Sequence, residues 1–111
     1  MTNETPDDGP ITLINAFEIR PQDVDQFLEQ WHERAEFLGS QPGFRSMRLH
    51  RALHPDSRFQ VVNVAEWDSP QALQAATAHD FFQQSAQRSV QDFAVAAHPA
   101  VYRVVIEATA E

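Results

Sequence analysis

Apolar and polar positions alternate with different periods along the chain, and each period predicts an element. The segment from Ile11 to Ile19 is rich in β-branched and apolar residues and lies between two proline-containing turns, which is typical of a strand. Its apolar side chains divide between two faces. We expect Leu13, Phe17 and Ile19 on one face, and Ile11, Ile14 and Ala16 on the other. A strand that is apolar on both faces needs cover on both sides.

A helix is predicted from Pro21 to Gln41, because apolar residues recur there at the spacing of one helical face. Proline suits the first turn of a helix, and Pro42-Gly43 would end this one. The apolar positions are Val24, Phe27, Leu28, Trp31, Ala35 and Leu38.

Two further strands follow. Between Phe44 and Leu53 apolar residues alternate with Arg48, His50 and Ala52, which predicts a half-exposed edge strand. A turn at residues 54–57 then leads to a third strand from Phe59 to Trp67.

The second half of the chain predicts a broken helical region and a last strand. Ser69 is a good helix N-cap and Pro70 an ideal first residue, and Asp80 can open a second helical segment. We expect helical or irregular structure to Ala97, with His98-Pro99 ending it. A final strand is predicted from Ala100 to Glu107.

The predicted order β-α-β-β-α-β is that of a ferredoxin-like α+β fold, with an antiparallel four-stranded sheet and helices on one face. Right-handed crossovers place the first and third strands in the middle of the sheet. The face without helices remains apolar, which predicts a homodimer joined sheet to sheet as a dimeric α+β barrel. The residues expected on that face are Ile14, Ala16, Val62, Val64, Val104 and Ile106.

One polar residue stands out in the third strand. Asn63 shares a face with Val61, Ala65 and Trp67, so its amide falls in an apolar row. A buried amide needs hydrogen-bond partners, and a bound substrate can supply those that the protein does not. The strand is therefore a candidate wall of a binding site, and Asn15 on the first strand is a second central amide.

Length, charge and composition exclude several classes of function. The 111 residues suffice for one domain, expected over residues 11–108, after a short acidic leader at residues 1–10. The net charge of −8 disfavours nucleic-acid and membrane-surface partners. The chain has no cysteine, no signal-like segment and no run of apolar residues long enough to span a membrane, so we expect a cytoplasmic protein.

Several of these residues occur in a known family's pattern. With Asn15 on the first strand, Pro42-Gly43-Phe44 before the second, and Asn63 with Glu66-Trp67 on the third, the chain resembles the antibiotic biosynthesis monooxygenase family over about residues 11–107. That family includes quinone-forming oxygenases, haem-degrading enzymes and isomerases, so the resemblance implies a fold more specifically than an activity.

The quinone-forming branch uses an Asn and a Trp on the third strand, a Tyr six residues after the Trp, and an Arg further on. Asn63 and Trp67 match, whereas the Tyr position is Leu73 and the Arg position is Gln87, beside Arg88. The resemblance implies a monooxygenase that needs no cofactor and oxidises a small phenolic or polyketide-like substrate, such as an anthrone or hydroquinone, with O₂.

The haem-degrading branch fits less well. Asn15 matches its first-strand Asn, but Ala76 stands at the position of its Trp and Ala86 at that of its haem-ligating His. The resemblance therefore disfavours haem binding or cleavage. A non-oxygenase of the same fold, either a lactone isomerase or a small-molecule-binding protein, remains the main alternative.

The expected catalytic residues are Asn63, Trp67 and His79. Asn63 could donate a hydrogen bond to a substrate oxyanion, and Trp67 could donate through its indole or stack on the ring, although both residue types also occur simply as core residues. His79 is the candidate proton acceptor, with a capping role as the alternative. The expected substrate contacts are Asn15, Phe17, Leu73, Phe82 and Arg88. No ligand spacing predicts a metal site.

Overall fold

The sheet and three helices predicted from the sequence are present in a computed structural model, which describes residues 9–111. The elements are β1 (Ile11–Glu18), α1 (Val24–Gly39) after a single 3₁₀ turn (Pro21–Asp23), β2 (Phe44–Arg51), β3 (Val61–Trp67), α2 (Pro70–Thr77), α3 (Asp80–Asp92) and β4 (Ala96–Tyr102). Most of the expected acidic leader, residues 1–8, lies outside the described residues.

The strands form one antiparallel sheet in the order β2-β3-β1-β4. The two central strands are therefore the first and the third, and the two edge strands are the second and the fourth. This arrangement confirms the predicted ferredoxin-like α+β fold. Among the helices of residues 9–111, none has the length and hydropathy that a membrane crossing requires.

Local sequence explains where two helices begin. The Ser69 hydroxyl accepts a hydrogen bond from the backbone N–H of Ala72 at 3.1 Å, and Pro70 is the first residue of α2. The ring Nδ1 of His79 caps α3 by accepting from the N–H of Phe81 at 3.4 Å. The helical region is therefore broken once, as predicted, and each of its two helices starts at a capping side chain.

Gly43 joins α1 to β2 in a conformation that other residues rarely adopt. Its φ is +85°, and a Cβ atom added there would lie 2.5 Å from the Cβ of Ala72 on α2. The glycine of the Pro42-Gly43-Phe44 sequence therefore allows both the turn and the close packing of α2.

The strand register fixes which side chains face the helices. On the central pair, Ile11 lies opposite Trp67, Leu13 opposite Ala65, Asn15 opposite Asn63, and Phe17 opposite Val61. The expectation that Ile11 lies on the open face was wrong: its side chain is buried with those of Ala65 and Trp67. Alternation along β1 requires this, because Ile11 and Leu13 are two residues apart.

The last strand was predicted four residues too late. It spans Ala96–Tyr102 and contains His98-Pro99, which had been expected to end a helix. Pro99 lies opposite Asn15, on an edge strand, where a missing N–H costs no hydrogen bond inside the sheet. Val104 and Ile106, expected on the open face of a strand, instead follow the end of β4 and are exposed.

The helix-covered face has two hydrophobic clusters. The first contains Phe17, Ile19, Val24, Phe27, Trp31, Val61 and Phe93, and the second contains Ile11, Leu38, Ala65, Trp67, Leu73 and Ala76. Asn63 lies on β3 between Val61 of the first cluster and Ala65 of the second.

Candidate functional site

A cavity of about 510 Å³ lies between the helices and the β1–β4 side of the sheet. Its volume falls within the usual range of small-ligand sites, about 300–1,000 Å³. Its floor is formed by Leu13, Asn15, Phe17, Ala97, Pro99, Ala100 and Val101, and its roof by Phe27, Arg34, Leu73, Gln74, Thr77, Phe82, Ala86, Ser89, Val90 and Val95. Polar side chains are few in this lining, so the cavity suits a largely apolar ligand.

Four of the five expected substrate contacts line this cavity. Asn15 and Phe17 come from β1, Leu73 from α2 and Phe82 from α3. The fifth, Arg88, is exposed on α3 and pairs with Glu33 at 2.8 Å, outside the cavity lining. The structure thus brings two residues of β1 together with Leu73 and Phe82, which lie 56 or more positions later in the sequence.

Asn63 and Trp67 lie next to the cavity's floor and are not part of its lining. Asn63 is 2% exposed and Trp67 is 1% exposed, and the Trp67 ring packs edge-on against Phe44 with centroids 5.3 Å apart. Asn63 is the direct cross-strand neighbour of Asn15, which does line the cavity. Their catalytic roles stay predictions, and Trp67 is placed as a core indole would be.

His79, the expected proton acceptor, is exposed at the start of α3. Its ring caps that helix and packs edge-on against Phe37 at a centroid distance of 4.9 Å. It does not line the cavity. In the described part of the chain, the cavity lining includes no His, Asp or Glu side chain.

Four buried side-chain polar atoms in the described residues have no hydrogen-bond partner, and three of them belong to predicted site residues. Within residues 9–111 they are Asn15 Oδ1, Asn63 Oδ1, Trp67 Nε1 and Trp31 Nε1. Buried polar groups are normally hydrogen-bonded, so four such atoms in a small domain call for an explanation. The Asn15 amide is the one of the four that belongs to the cavity lining.

Arg34 is a cavity residue that the sequence argument missed. It is 4% exposed, and its guanidinium lies over the Trp31 ring with Cζ 4.6 Å from the centroid. Its Nε donates to Ser85 Oγ at 3.1 Å, and its Nη2 donates to the Ser85 carbonyl at 2.9 Å and to Ser89 Oγ at 2.8 Å. Burial, with a smaller contribution from the charge of Arg88, lowers the pKa of Arg34 to about 10.

The signal for Arg34 was present in the spacing of α1. The buried positions of that helix are Val24, Phe27, Trp31, Arg34 and Leu38, which are separated by three and four residues in turn. Arg34 therefore falls on the apolar stripe. The prediction had placed Leu28 and Ala35 on the stripe without Arg34, and both are half-buried and pack against the first cluster.

A metal ion would need a cluster of ligating side chains. No group of three or more His, Asp or Glu side chains in residues 9–111 is arranged to hold one.

Solved structures share this fold across nearly the whole chain. SnoaB, a cofactor-independent oxygenase from Streptomyces nogalater, is 22% identical, with a TM-score of 0.77 over 89% of this chain and 96% of that one. Rv0793 from Mycobacterium tuberculosis is 16% identical, with a TM-score of 0.73 over 90% of this chain and 99% of that one. At such identities the likeness establishes the fold.

A third structure is more similar in sequence. A candidate monooxygenase from Shewanella loihica PV-4 is 31% identical, with a TM-score of 0.67 over 89% of this chain and 97% of that one. No protein of curated function matches the chain at a significant level. The profile of the family described as antibiotic biosynthesis monooxygenase matches residues 10–88. With its ferredoxin-like sheet and helix-covered cavity, this chain belongs to the antibiotic biosynthesis monooxygenase family.

Proposed function

We propose that this protein is a monooxygenase that oxidises a small aromatic phenol, anthrone or hydroquinone with O₂ and without a metal or organic cofactor. The observation that carries the proposal is the cavity of about 510 Å³, which is lined mainly by apolar and aromatic side chains and also by the amide residue Asn15. An apolar cleft with one or two oriented polar groups suits a flat ring bearing an oxygen substituent.

The reaction class balances without an added cofactor. An anthrone that has lost its proton to solvent enters as a resonance-stabilised carbanion, which passes an electron to O₂. The two radicals then combine and take up a proton from solvent to form a hydroperoxide. Loss of water leaves a carbonyl where the CH₂ group stood. One oxygen atom of O₂ enters the product and the other becomes water, so the substrate itself supplies the electrons.

The cavity residues would bind and orient the ring. Phe17 and Phe82 offer aromatic faces and edges, and Leu73 offers an apolar wall. The Asn15 amide would donate a hydrogen bond to the substrate oxygen, where negative charge develops. Exclusion of water by the apolar lining would strengthen that interaction.

Asn63 and Trp67 would act from beside the cavity's floor. Asn63 is the cross-strand neighbour of Asn15, so it would orient that amide, and Trp67 would hold the end of β3 by packing on Phe44. Arg88 and His79 keep the roles predicted from the sequence only if they move toward the cavity when substrate binds.

The test is oxygen uptake with an anthrone or hydroquinone in metal-free buffer. We expect wild-type uptake with one equivalent of O₂ per quinone formed. Asn15→Ala should lower the rate by about a hundredfold if its amide stabilises the oxyanion. Uptake that requires an added metal or flavin would contradict the proposal, and an unchanged rate in both Asn63→Ala and Trp67→Phe would remove their assignment.

A binding protein or an isomerase of the same fold is the second candidate. The observation that favours it is the lack of any His, Asp or Glu side chain among the described residues that line the cavity. Equal conversion of a lactone substrate with and without O₂ would indicate an isomerase. Tight binding of an aromatic ligand with no conversion at all would indicate a binding protein.

Haem is poorly suited to this cavity. Ala86, which stands where the haem-degrading branch has its ligating histidine, lines the cavity with a methyl group. We therefore expect no shift of the Soret band when haem is titrated into the protein, and a shifted band would contradict this expectation.

The open face of the sheet supports a homodimer. It carries the half-buried side chains of Ile14, Ala16, Val62 and Val64 on the two central strands, with no helix over them. Packing two such faces together would remove this apolar surface from water. Light scattering should give the mass of a dimer, and Val64→Lys should give a monomer, whereas Gln84→Lys on the exposed side of α3 should not. A monomeric wild type would contradict the proposal.

A further inference from the structure

Arg34 is a buried cation without a direct counter-charge. In the part of the chain that the structure describes, no carboxylate lies within ion-pairing distance of it, and the adjacent Glu33 pairs with Arg88. Its three hydrogen bonds all go to neutral oxygens, two from serine hydroxyls and one from a backbone carbonyl. The two N–H groups on Nη1 have no hydrogen-bond acceptor among residues 9–111.

Burial of such a charge is unfavourable unless something compensates it. A guanidinium removed from water loses hydration, and hydrogen bonds to neutral oxygens restore this loss only in part. The pKa of about 10 reflects this desolvation, and Arg34 is still cationic at neutral pH. An anion in the adjoining cavity would be the natural counter-charge, because guanidinium groups bind oxyanions through paired N–H donors.

The serines hold the guanidinium at the cavity rather than neutralising it. Ser89 accepts from Arg34 and donates its own hydroxyl hydrogen to Gln30 Oε1 at 3.1 Å. Gln30 in turn donates to Asp92 at 2.6 Å. This series of hydrogen bonds fixes the orientation of Arg34. Its one carboxylate, that of Asp92, is three hydrogen bonds away from the guanidinium.

The same cavity has no group that could accept a proton. Arg34 is the one titratable side chain among its described lining residues. A phenol that entered in its neutral form would find no base there, but a phenolate would find a cation. The lining therefore favours ligands that are already ionised, or whose ionisation the guanidinium promotes.

We propose that the cavity binds flat aromatic molecules as oxyanions, either phenolates or carboxylates, and that Arg34 supplies the counter-charge. The inference rests on the proposed function only in taking this cavity as the substrate site. It specifies the substrate class as an anion and gives the role of charge stabilisation to a residue on α1.

A purely structural role is the competing account. By bonding Ser85 and Ser89, Arg34 also links α1 to α3, and such a link needs no ligand. The two accounts differ in what they predict for anionic and neutral ligands of the same shape.

The first experiment compares 2-naphthoate with 2-naphthamide by calorimetry at neutral pH. We expect wild type to bind the anion at least about tenfold more tightly, as a charge-assisted hydrogen bond in a desolvated site would provide. The protein's net charge of −8 opposes general anion binding, so a preference for the anion reports a local cation.

Variants of Arg34 test whether its guanidinium causes the preference for the anion. Arg34→Met should abolish it while leaving the affinity for 2-naphthamide nearly unchanged, and Arg34→Lys should retain part of it. The matched control is Arg51→Met, which removes an exposed arginine paired with Asp25 and should keep the full preference. Equal wild-type affinities for the two ligands, no binding of either, or a preference that persists in Arg34→Met would each overturn the proposal.

A second measurement needs no variant and so does not depend on Arg34→Met being folded. The absorbance of 4-nitrophenol distinguishes its neutral and ionised forms, so its acid dissociation constant can be read in the bound state. We expect binding to wild type to raise that constant about tenfold, because a nearby cation favours the phenolate. An unchanged or smaller constant would contradict the proposal.

These outcomes are separate from those of the oxygenase test. A preference for the anion with no oxygen uptake would remove the proposed oxygenase activity and leave the role of Arg34 in place. Oxygen uptake that is the same in wild type and Arg34→Met would support the oxygenase and contradict the role of Arg34.

Discussion

The helix-covered face of the sheet has two halves that differ in how they are filled. One, the packed half, is built on β3 around Ala65 and Trp67, and is closed by Leu38 and Ala76 from the helices. The other, the cavity half, is built on β1 and β4 around Asn15 and Pro99, and borders the cavity of about 510 Å³. Both halves lie under the same three helices.

Each half has a central amide with an unpaired oxygen, Asn63 or Asn15. The two are cross-strand neighbours on the central strands, so their positions in the sheet are almost equivalent. Only the space above them differs. A polar residue in an apolar strand therefore marks the central strands of a site, while helix packing decides which side of the site can receive a ligand.

The same substitution in the two halves should give opposite results. Ala76 and Ala86 are both helical alanines that face the sheet side, one in the packed half and one in the cavity lining. Ala76→Leu should lower the free energy of unfolding by about 1–3 kcal/mol through overpacking. Ala86→Leu should leave it unchanged or raise it by up to about 1 kcal/mol, because the added methyl groups fill existing space.

Urea unfolding of both variants measures this difference, and binding of 2-naphthoate provides a second readout. Ala86→Leu should weaken that binding because its side chain occupies the cavity. Similar losses of stability in the two variants would show that the halves are packed alike, and the comparison would then fail.

The sequence was sufficient for the fold because its patterns are local and its connections obey general rules. Ser69-Pro70 and His79 mark helix starts, and the alternation along β1 and β3 specifies two central strands. The end of the sheet was not predictable in the same way. The β-branched run after Tyr102 favours a strand, but pairing with β1 selected Ala96–Tyr102, and edge position made Pro99 acceptable.

The candidate site was predicted in part. Asn15, Phe17, Leu73 and Phe82 do meet at one cavity, because strand alternation and helical spacing show which side chains face inward. Arg34 was missed because a charged residue beside Glu33 suggests a solvated surface. Its burial depends on Ser85 and Ser89, which are more than fifty residues away and become its partners only when α3 packs on α1.

Replacing each central amide by leucine should also have different effects in the two halves. An unpaired buried amide oxygen costs about 1–3 kcal/mol, so Asn63→Leu should leave the free energy of unfolding unchanged or raise it by about 1 kcal/mol. Asn15→Leu should have a smaller effect on stability, since this residue borders the cavity, and should lower oxygen uptake or ligand affinity directly. A loss of more than about 2 kcal/mol in Asn63→Leu would show that its amide does have a partner.

The double variant of Asn15→Leu and Asn63→Leu shows whether Asn63 affects the ligand directly or through Asn15. If Asn63 acts by orienting Asn15, then Asn63→Leu should have little further effect on ligand affinity in the Asn15→Leu background. Additive losses would instead indicate that both amides contact the ligand independently.

The smallest expected effect concerns an exposed ion pair at the edge of the cavity half. Glu18, at the end of β1, accepts from Arg58 at 3.1 Å and lies 2.7 Å from Nε2 of His98 on β4. The hydrogen bond from Arg58 is the main cause that lowers the pKa of Glu18 below its ordinary value of 4.5, and His98 adds to it. A carboxyl with a lowered folded-state pKa stabilises the fold above its unfolded pKa, and this contribution is lost as the pH falls through the folded value.

At neutral pH, Glu18→Gln should therefore speed hydrogen exchange slightly at the β4 amides relative to wild type, because the link between β1 and β4 is weakened. The difference should shrink as the pH falls below 4.5, where the wild-type carboxyl also becomes protonated. Arg45→Gln, which removes an exposed pair with Asp68 on the side of the packed half, should leave exchange in β4 unchanged. If the β4 difference persisted undiminished in acid, the side chain of Glu18 would be acting through its packing, and the floor of the cavity half would not depend on this charge.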